Sequence, residues 1–264
     1  MQTSFKKQFG ILSILVFLMP VHSFAVLKTK NIEYRQGNVS LEGYLAYDDS
    51  IKGKRPGILV VHEWWGINPY IQRRANQLAE LGYIAFAPDI YGKGIRAKDF
   101  KEAAALSNIY KSDRQLMRSR AQAGLEVLKN NNLVDEKRMA AIGYCFGGTV
   151  GLELTRSGSD LTGTVIFHGS LNTPNPQDAK NIKGKVLALI GAEDPYIPST
   201  EIANFEDEMR NANVDWELVK YSGTVHSFTN PDSGNDKSKG MAYNPEADAR
   251  SWETMKDFLH EIFK

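Results

Sequence analysis

The only cysteine of this 264-residue chain lies in the stretch Ala141-Ile142-Gly143-Tyr144-Cys145-Phe146-Gly147-Gly148. The apolar run before it predicts a short strand and the residues after it a helix, so Cys145 lies in the sharp turn between them. Gly143 and Gly147 lack a Cβ and let strand and helix approach closely. The turn places the thiol at a helix N-terminus, where the helix dipole favours a thiolate. This G-x-C-x-G turn therefore predicts a nucleophile elbow.

A cysteine nucleophile needs a base and an acid that orients the base, and both follow in the required order. The buried strand predicted at 185–191 ends just before Asp194, and His226 follows the strand predicted at 214–221. Because ligands of open α/β sheets bind at the carboxyl ends of the strands, we expect the three side chains to meet there. Individually they could be a core thiol, a turn aspartate and a solvated histidine. Their order and placement favour a catalytic triad of Cys145, Asp194 and His226.

The loop of residues 62–66 follows another predicted buried strand. In this arrangement the backbone N–H groups of Trp64 and Phe146 are expected to form an oxyanion hole. Glu63 is either a solvated loop residue or a buried functional carboxylate, and its position beside two tryptophans favours the second. Trp65 is expected to line an apolar substrate pocket together with Trp64.

The order of predicted elements indicates one α/β domain over residues 26–264. An antiparallel strand pair at 31–48 precedes strands that alternate with helices, which predicts a mostly parallel central sheet with helices on both faces. Helices are expected at 69–81, 103–130 (in one or two pieces), 199–211 and 246–263. Ser199 or Thr200 is expected to cap the third of these. The arginines at positions 114, 118 and 120 are expected on a solvated face.

Residues 1–25 have the pattern of a cleavable signal peptide. Lys6 and Lys7 form a basic start, residues 11–20 form an apolar run, and Ser23 and Ala25 are the small residues that signal peptidase needs. We expect export, most simply to a bacterial periplasm, with no stable membrane span after cleavage. An uncleaved membrane anchor is the alternative, although the apolar run is short for a span.

Charge and motifs limit the partners and cofactors. The chain has 32 basic and 31 acidic residues, a formal charge of +1, and losing two leader lysines gives −1. This balance does not indicate nucleic acid as a partner. The sequence has no phosphate-binding loop, dinucleotide fingerprint or histidine pair at metal spacing, so we expect no cofactor and no metal. A monomer is expected.

Several segments resemble the dienelactone hydrolases, a family with the α/β-hydrolase fold. The matching segments are residues 62–66, 87–92, 143–148, 191–195, 225–231 and 242–252. The resemblance implies this fold and a triad of Cys145, His226 and Asp194. It also implies that Glu63 hydrogen-bonds the resting thiol and helps to activate it when substrate binds.

In that family two arginines hold the carboxylate of the substrate. This chain has Lys93 at the first position, which loses the bidentate fork, and Asn230 at the second, which loses the charge. Arg96 and Phe228 are further candidates for the substrate pocket. With these departures, the resemblance implies a hydrolase of a small-molecule ester, lactone or thioester, and it leaves open whether dienelactone itself is a substrate.

Two other functions stay open. A lone thiol in an exported chain has no disulfide partner and could serve redox chemistry, although no resolving cysteine is present. A catalytically silent α/β-hydrolase could act as a binding module, although it would have little reason to keep all three triad residues. The main hypothesis is cofactor-independent hydrolysis through an acyl-cysteine intermediate.

Overall fold

The computed structural model describes residues 1–3 and 26–264 of the chain. Residues 4–25, on which the predicted signal peptide falls, lie outside the described residues. Within the described part of the chain, no helix has the length and apolar character needed to cross a membrane.

One eight-stranded sheet forms the centre of the domain. Its strands are β1 (Leu27–Gln36), β2 (Val39–Asp48), β3 (Arg55–Val61), β4 (Ile84–Ala87), β5 (Val134–Tyr144), β6 (Gly163–Phe167), β7 (Lys185–Gly191) and β8 (Trp216–Tyr221). They are arranged in the order β1-β2-β4-β3-β5-β6-β7-β8. The pairs β1–β2 and β2–β4 are antiparallel, and every other neighbouring pair is parallel. The predicted fold class is confirmed, including the antiparallel pair at the N-terminal side.

Helices cover both faces of this sheet. They are α1 (Pro69–Glu80), α2 (Phe100–Ser112), α3 (Arg114–Lys129), α4 (Phe146–Arg156), α5 (Ser199–Asn211) and α6 (Pro245–Ile262). Side chains alternate along each strand, so Ile58 and Val60 join the core under α1 and α6. Their neighbours Leu59 and Val61 join the core under α3 and α4. This alternation buries both faces of the parallel strands.

Local capping explains where several helices begin. Asn68 accepts a hydrogen bond from the N–H of Ile71, and Pro69 occupies the first turn of α1. The helical segment predicted at 103–130 is two helices, because Asp113 leaves helical geometry and caps α3. The predicted cap of α5 is wrong, since Pro198 holds the capping position and offers no side-chain hydrogen bond.

The predicted solvated arginine face of α3 is also wrong. Arg120 is buried, and Arg118 forms ion pairs with Glu153 and Asp178, both at 2.7 Å. The Glu153 side chain is fully buried on α4 and needs a cationic partner there. The acidic partners come from distant parts of the sequence, which the charge pattern of one helix cannot reveal.

Candidate active site

Cys145 lies in a strained turn between β5 and α4. Its φ of 53° is in the positive region that residues with a Cβ seldom adopt. A Cβ added at Gly143 would lie 2.0 Å from the carbonyl oxygen of Gly147. One added at Gly147 would lie 2.3 Å from the carbonyl oxygen of Val61. The close approach of strand and helix therefore requires glycine at both positions, and it exposes the thiol at the edge of the sheet.

The structure brings the three residues of the predicted triad into one hydrogen-bonded line. The distance from Cys145 Sγ to His226 Nε2 is 3.1 Å, and the distance from His226 Nδ1 to Asp194 Oδ2 is 2.8 Å. Cys145 follows β5, Asp194 follows β7 and His226 follows β8, so all three lie at the carboxyl edge of the sheet. Asp194 Oδ1 accepts a 2.9 Å hydrogen bond from the N–H of Tyr196, which fixes the carboxylate.

The backbone of His226 is held on both sides by a later segment. Its N–H donates to the carbonyl of Gly240 at 3.1 Å, and its carbonyl accepts from the N–H of Ala242 at 3.0 Å. Together with a bridge between His226 and Met241, these bonds form a short strand-like pairing. The loop that carries the histidine is therefore anchored on a segment near residue 241.

The charges around His226 favour its protonated form. Burial alone would lower the pKa of this imidazole, but a Cys145 thiolate and the Asp194 carboxylate raise it to about 10. His168 lies behind it, with the two rings edge to face at 5.2 Å. Burial lowers the pKa of His168 well below its usual value, and its Nε2 is 2.7 Å from Thr229 Oγ1. The surroundings of His226 thus favour an imidazolium beside the nucleophile.

Glu63 is a buried carboxylate, but the thiol is not its partner. Ser227 Oγ donates to Glu63 Oε1 at 3.0 Å, and Asn230 Nδ2 donates to Oε2 at 2.7 Å. Burial raises the pKa of Glu63, although both donors act against this shift. The bond from Glu63 to the resting thiol that the family resemblance implies is absent, because Ser227 and Asn230 occupy both carboxylate oxygens while Cys145 contacts His226.

Two backbone N–H groups lie beside the thiol. Trp64 and Phe146 line the same cavity as Cys145. The carbonyl of Trp64 accepts a 2.9 Å hydrogen bond from Tyr91 Oη, which fixes the loop after β3. Phe146 is the first residue of α4, where the helix leaves its N–H unpaired. Both residues that the sequence predicts as oxyanion-hole donors therefore line the cavity that holds the thiol.

The cavity at this edge has a volume of about 340 Å³. Its lining combines the nucleophile and the base with residues from helices α2 to α5 and from the loops after β6, after β7 and before α6. Besides Cys145, His226, Trp64 and Phe146, the lining residues are Lys111, Arg114, Thr149, Ser170, Asn172, Tyr196, Ile197, Glu201 and Met241. Sequence reasoning missed this second set. Only Tyr196 carried a signal, since it follows two residues after Asp194.

The four remaining residues predicted for the pocket do not line this cavity, and aromatic packing accounts for two of them. Trp65 is absent from the lining and packs edge to face on Trp64 and Phe100, with ring centroids 5.5 Å and 5.2 Å away. Phe228 is fully buried and packs against His168 with ring centroids 5.2 Å apart. Both side chains support the walls of the site from behind.

Lys93 and Arg96 are the other two predicted pocket residues, and nearby polar partners hold both of them away from the cavity. Lys93 is partly exposed and pairs with Glu33 and with Glu42, which belong to β1 and β2. Arg96 Nε donates to the carbonyl of Ile67 at 2.6 Å, so its guanidinium braces the loop after β3. Neither cation lines the cavity that holds the thiol.

Residues 1–3 and 26–264 contain no group of three or more His, Cys, Asp or Glu side chains arranged to hold a metal ion.

Comparison with known proteins agrees with this geometry. The model of the dienelactone hydrolase family matches residues 41–263. The "Putative carboxymethylenebutenolidase" of Aquifex aeolicus is 25% identical over 88% of this chain and 98% of its own length. The solved structure named m3DLH has a TM-score of 0.86 and 39% identity, covering 90% of this chain and 99% of that chain. A dienelactone hydrolase-like promiscuous phosphotriesterase from metagenomic libraries has a TM-score of 0.86, 37% identity and the same coverage. The chain therefore belongs to the dienelactone hydrolase family, and as a member it is a hydrolase acting on ester or lactone bonds.

Proposed function

We propose that this hydrolase cleaves a carboxylic ester, lactone or thioester through a covalent acyl-cysteine, without a cofactor. One observation carries the proposal. Cys145 Sγ, the His226 ring and the Asp194 carboxylate form a continuous line of 3.1 Å and 2.8 Å contacts that opens on a cavity. Such a line is what nucleophilic catalysis by a base-activated thiol requires.

In the first half-reaction, the thiolate of Cys145 attacks the acyl carbon and a C–S bond forms. The carbonyl oxygen becomes an oxyanion and accepts hydrogen bonds from the N–H groups of Trp64 and Phe146. The bond from the acyl carbon to the leaving oxygen or sulfur then breaks. His226 Nε2 gives its proton to that leaving group, so an alcohol or thiol departs.

In the second half-reaction, a water molecule attacks the acyl carbon and gives one proton to His226 Nε2. The C–S bond breaks, a carboxylic acid leaves, and the imidazolium–thiolate pair is restored. Asp194 accepts the Nδ1–H bond throughout, which holds the ring orientation and stabilises its positive charge. The sum is one ester bond and one water converted into an acid and an alcohol.

The test compares wild-type protein with Cys145→Ala on phenyl acetate and on a small lactone. We expect turnover by the wild type and its loss in the variant. Mass spectrometry of acid-quenched wild type should show one added acetyl group on the only cysteine. Ser119→Ala on α3 is a control for purification and handling. Full ester hydrolysis by Cys145→Ala would contradict the acyl-cysteine mechanism.

We also propose that residues 1–25 are a signal peptide and that the protein is exported. The basic start, the apolar run and the small residues before position 26 support this proposal. N-terminal sequencing of the exported fraction should begin at Val26. Recovery of the protein solely in the cytosol, beginning at residue 1, would contradict it.

A further inference from the structure

Two cationic side chains line the same cavity as the nucleophile. Lys111 lies in the last turn of α2, and Arg114 is the first residue of α3. Within residues 26–264, no acidic side chain forms an ion pair with either of them. Other arginines of the same face are neutralised, as Arg118 is by Glu153. Lys111 and Arg114 therefore line the cavity without a direct ion-pair partner among the described residues.

The guanidinium of Arg114 is only partly satisfied. Its Nη2 donates to Asn172 Oδ1 at 2.8 Å, and Nη1 makes a weak contact with Met117 Sδ at 3.6 Å. Its Nε is buried without a hydrogen-bond partner in the part of the chain that the structure describes. Burying a cation that lacks an anionic partner is unfavourable unless a ligand supplies one. Two of the five N–H groups of this guanidinium are thus engaged within the described protein, and the side chain lines the cavity.

The one acidic residue of the lining is already engaged. Glu201 Oε1 accepts from Ser170 Oγ at 2.8 Å and from the N–H of Leu171 at 2.6 Å. Its Oε2 accepts from Asn172 Nδ2 at 3.2 Å, and Asn172 in turn holds Arg114. Glu201 therefore orients the arginine through Asn172 while its own charge is met by three donors.

The positions at which the family resemblance implies arginines do not provide a cation here. Lys93 is paired with Glu33 and Glu42 away from the cavity, and Asn230 is bonded to Glu63. Among the described residues, Lys111 and Arg114 at the junction of α2 and α3 are therefore the cations of the lining besides His226, which is already paired with Asp194.

We propose that Arg114, assisted by Lys111, binds a negatively charged group of the substrate remote from the bond that Cys145 attacks. Arg114 is then a specificity-determining residue, and the substrates are anionic esters or lactones. The inference rests on the proposed function, since it places the anionic group relative to the acyl carbon. The guanidinium fork suits planar or tetrahedral oxyanions such as carboxylate and sulfonate.

The experiment compares acetate esters that differ only in charge. The anionic esters are 3- and 4-acetoxybenzoate and 4-acetoxybenzenesulfonate, and the neutral ones are the matching carboxamides. We expect wild type to prefer the anionic esters in kcat/KM. Arg114→Gln should reduce this preference by about 10- to 100-fold, the value of a charged hydrogen bond, because kcat/KM falls more for the anionic esters than for the neutral ones. Lys111→Gln should reduce it less, because Lys111 is exposed.

Arg210→Gln is the matched control, since Arg210 is exposed on α5 and absent from the cavity lining. Circular dichroism checks folding, and if Arg114→Gln is unfolded, Arg114→Lys takes its place. The inference is wrong if wild type shows no preference for the anionic esters, or if a folded Arg114 variant keeps the preference. If no ester is turned over, the proposed function fails.

A second readout does not require turnover. Iodoacetamide alkylates the only cysteine, so the rate of alkylation reports occupancy of the cavity. We expect 4-hydroxybenzoate to slow alkylation of wild type at concentrations where 4-hydroxybenzamide does not. Equal protection by the acid and the amide, or protection by the acid that survives in a folded Arg114 variant, would overturn the inference.

Discussion

Asn230, on the loop after His226, donates a 2.7 Å hydrogen bond from its side-chain amide to Glu63 Oε2. This bond holds the buried carboxylate of Glu63 against that loop. Ser227 occupies the other carboxylate oxygen. The thiol of Cys145 is thereby left to His226, at 3.1 Å from Nε2. The nucleophile is paired with its base before any substrate arrives, so its activation does not depend on displacement of Glu63.

This pairing predicts how the thiol reacts in the free enzyme. Substituting His226→Gln should slow alkylation of Cys145 by iodoacetamide by about tenfold or more, because the thiolate loses its imidazolium partner. Glu63→Gln should change the rate much less. Mass spectrometry of alkylation reactions run at neutral pH and quenched at set times measures both rates. A larger effect of Glu63→Gln than of His226→Gln would show that the carboxylate controls the resting thiol.

Burial of Glu63 predicts a pH-dependent stability. Because burial raises the pKa of Glu63, the folded protein binds the proton of this carboxyl group more tightly than the unfolded chain does. The resulting stabilisation is complete below the ordinary pKa of 4.5 and is lost as the pH rises through the raised pKa. Glu63→Gln removes this loss. The free energy of unfolding of the variant, relative to wild type, should therefore increase from pH 4.5 to pH 8. Urea unfolding measures it, and exposed Glu80→Gln should show no such trend.

The line between Asp194 and His226 predicts the effect of an amide. In Asp194→Asn, Oδ1 can still accept from Tyr196, which turns Nδ2 toward His226 Nδ1. The ring then carries its proton on Nε2 and cannot accept one there. Ester turnover should fall on the order of 10³- to 10⁴-fold, with the fold retained. Asp207→Asn on α5 should be neutral, and a similar loss in that variant would argue against a specific role.

Two glycines, Gly143 in the elbow and Gly151 on α4, are expected to respond differently to alanine. Gly143→Ala places a Cβ 2.0 Å from the carbonyl of Gly147, so the free energy of unfolding should fall by about 3 kcal/mol or more. On α4, a Cβ at Gly151 meets Thr164 at 3.6 Å, an ordinary contact. Gly151→Ala should be neutral or stabilise by up to about 1 kcal/mol. Thermal unfolding of both variants tests the pair, and equal stability would contradict the close approach.

Much of this architecture could be predicted from the sequence, because its signals are local. Buried strands such as β7 are continuous apolar runs, and the elbow is marked by glycines whose missing Cβ has a steric reason. The order of Cys145, Asp194 and His226 relative to predicted strands was enough to bring them to one edge of the sheet. These inferences needed no knowledge of which helices pack together.

The cationic wall of the cavity could not be predicted in the same way. Lys111 and Arg114 lie 34 and 31 residues before Cys145, with β5 in between, and on their helices they look like ordinary surface charges. The tertiary packing of α3 on α4 decides which arginine is paired and which faces the cavity. Lys93 failed for the same reason, since its partners Glu33 and Glu42 lie on strands about 50 residues earlier or more.

The backbone pairing of His226 with Gly240 and Ala242 fixes both ends of the intervening loop, so residues 232–239 can vary more in sequence than the paired residues can. The segment after Pro231 can change in length or composition as long as the register of these two backbone bonds is kept. Met241, which lies between the two anchors, lines the cavity. Insertions at 232–239 would therefore leave the catalytic base in place, whereas a shift by one residue at the anchors would displace both His226 and the Met241 wall of the cavity.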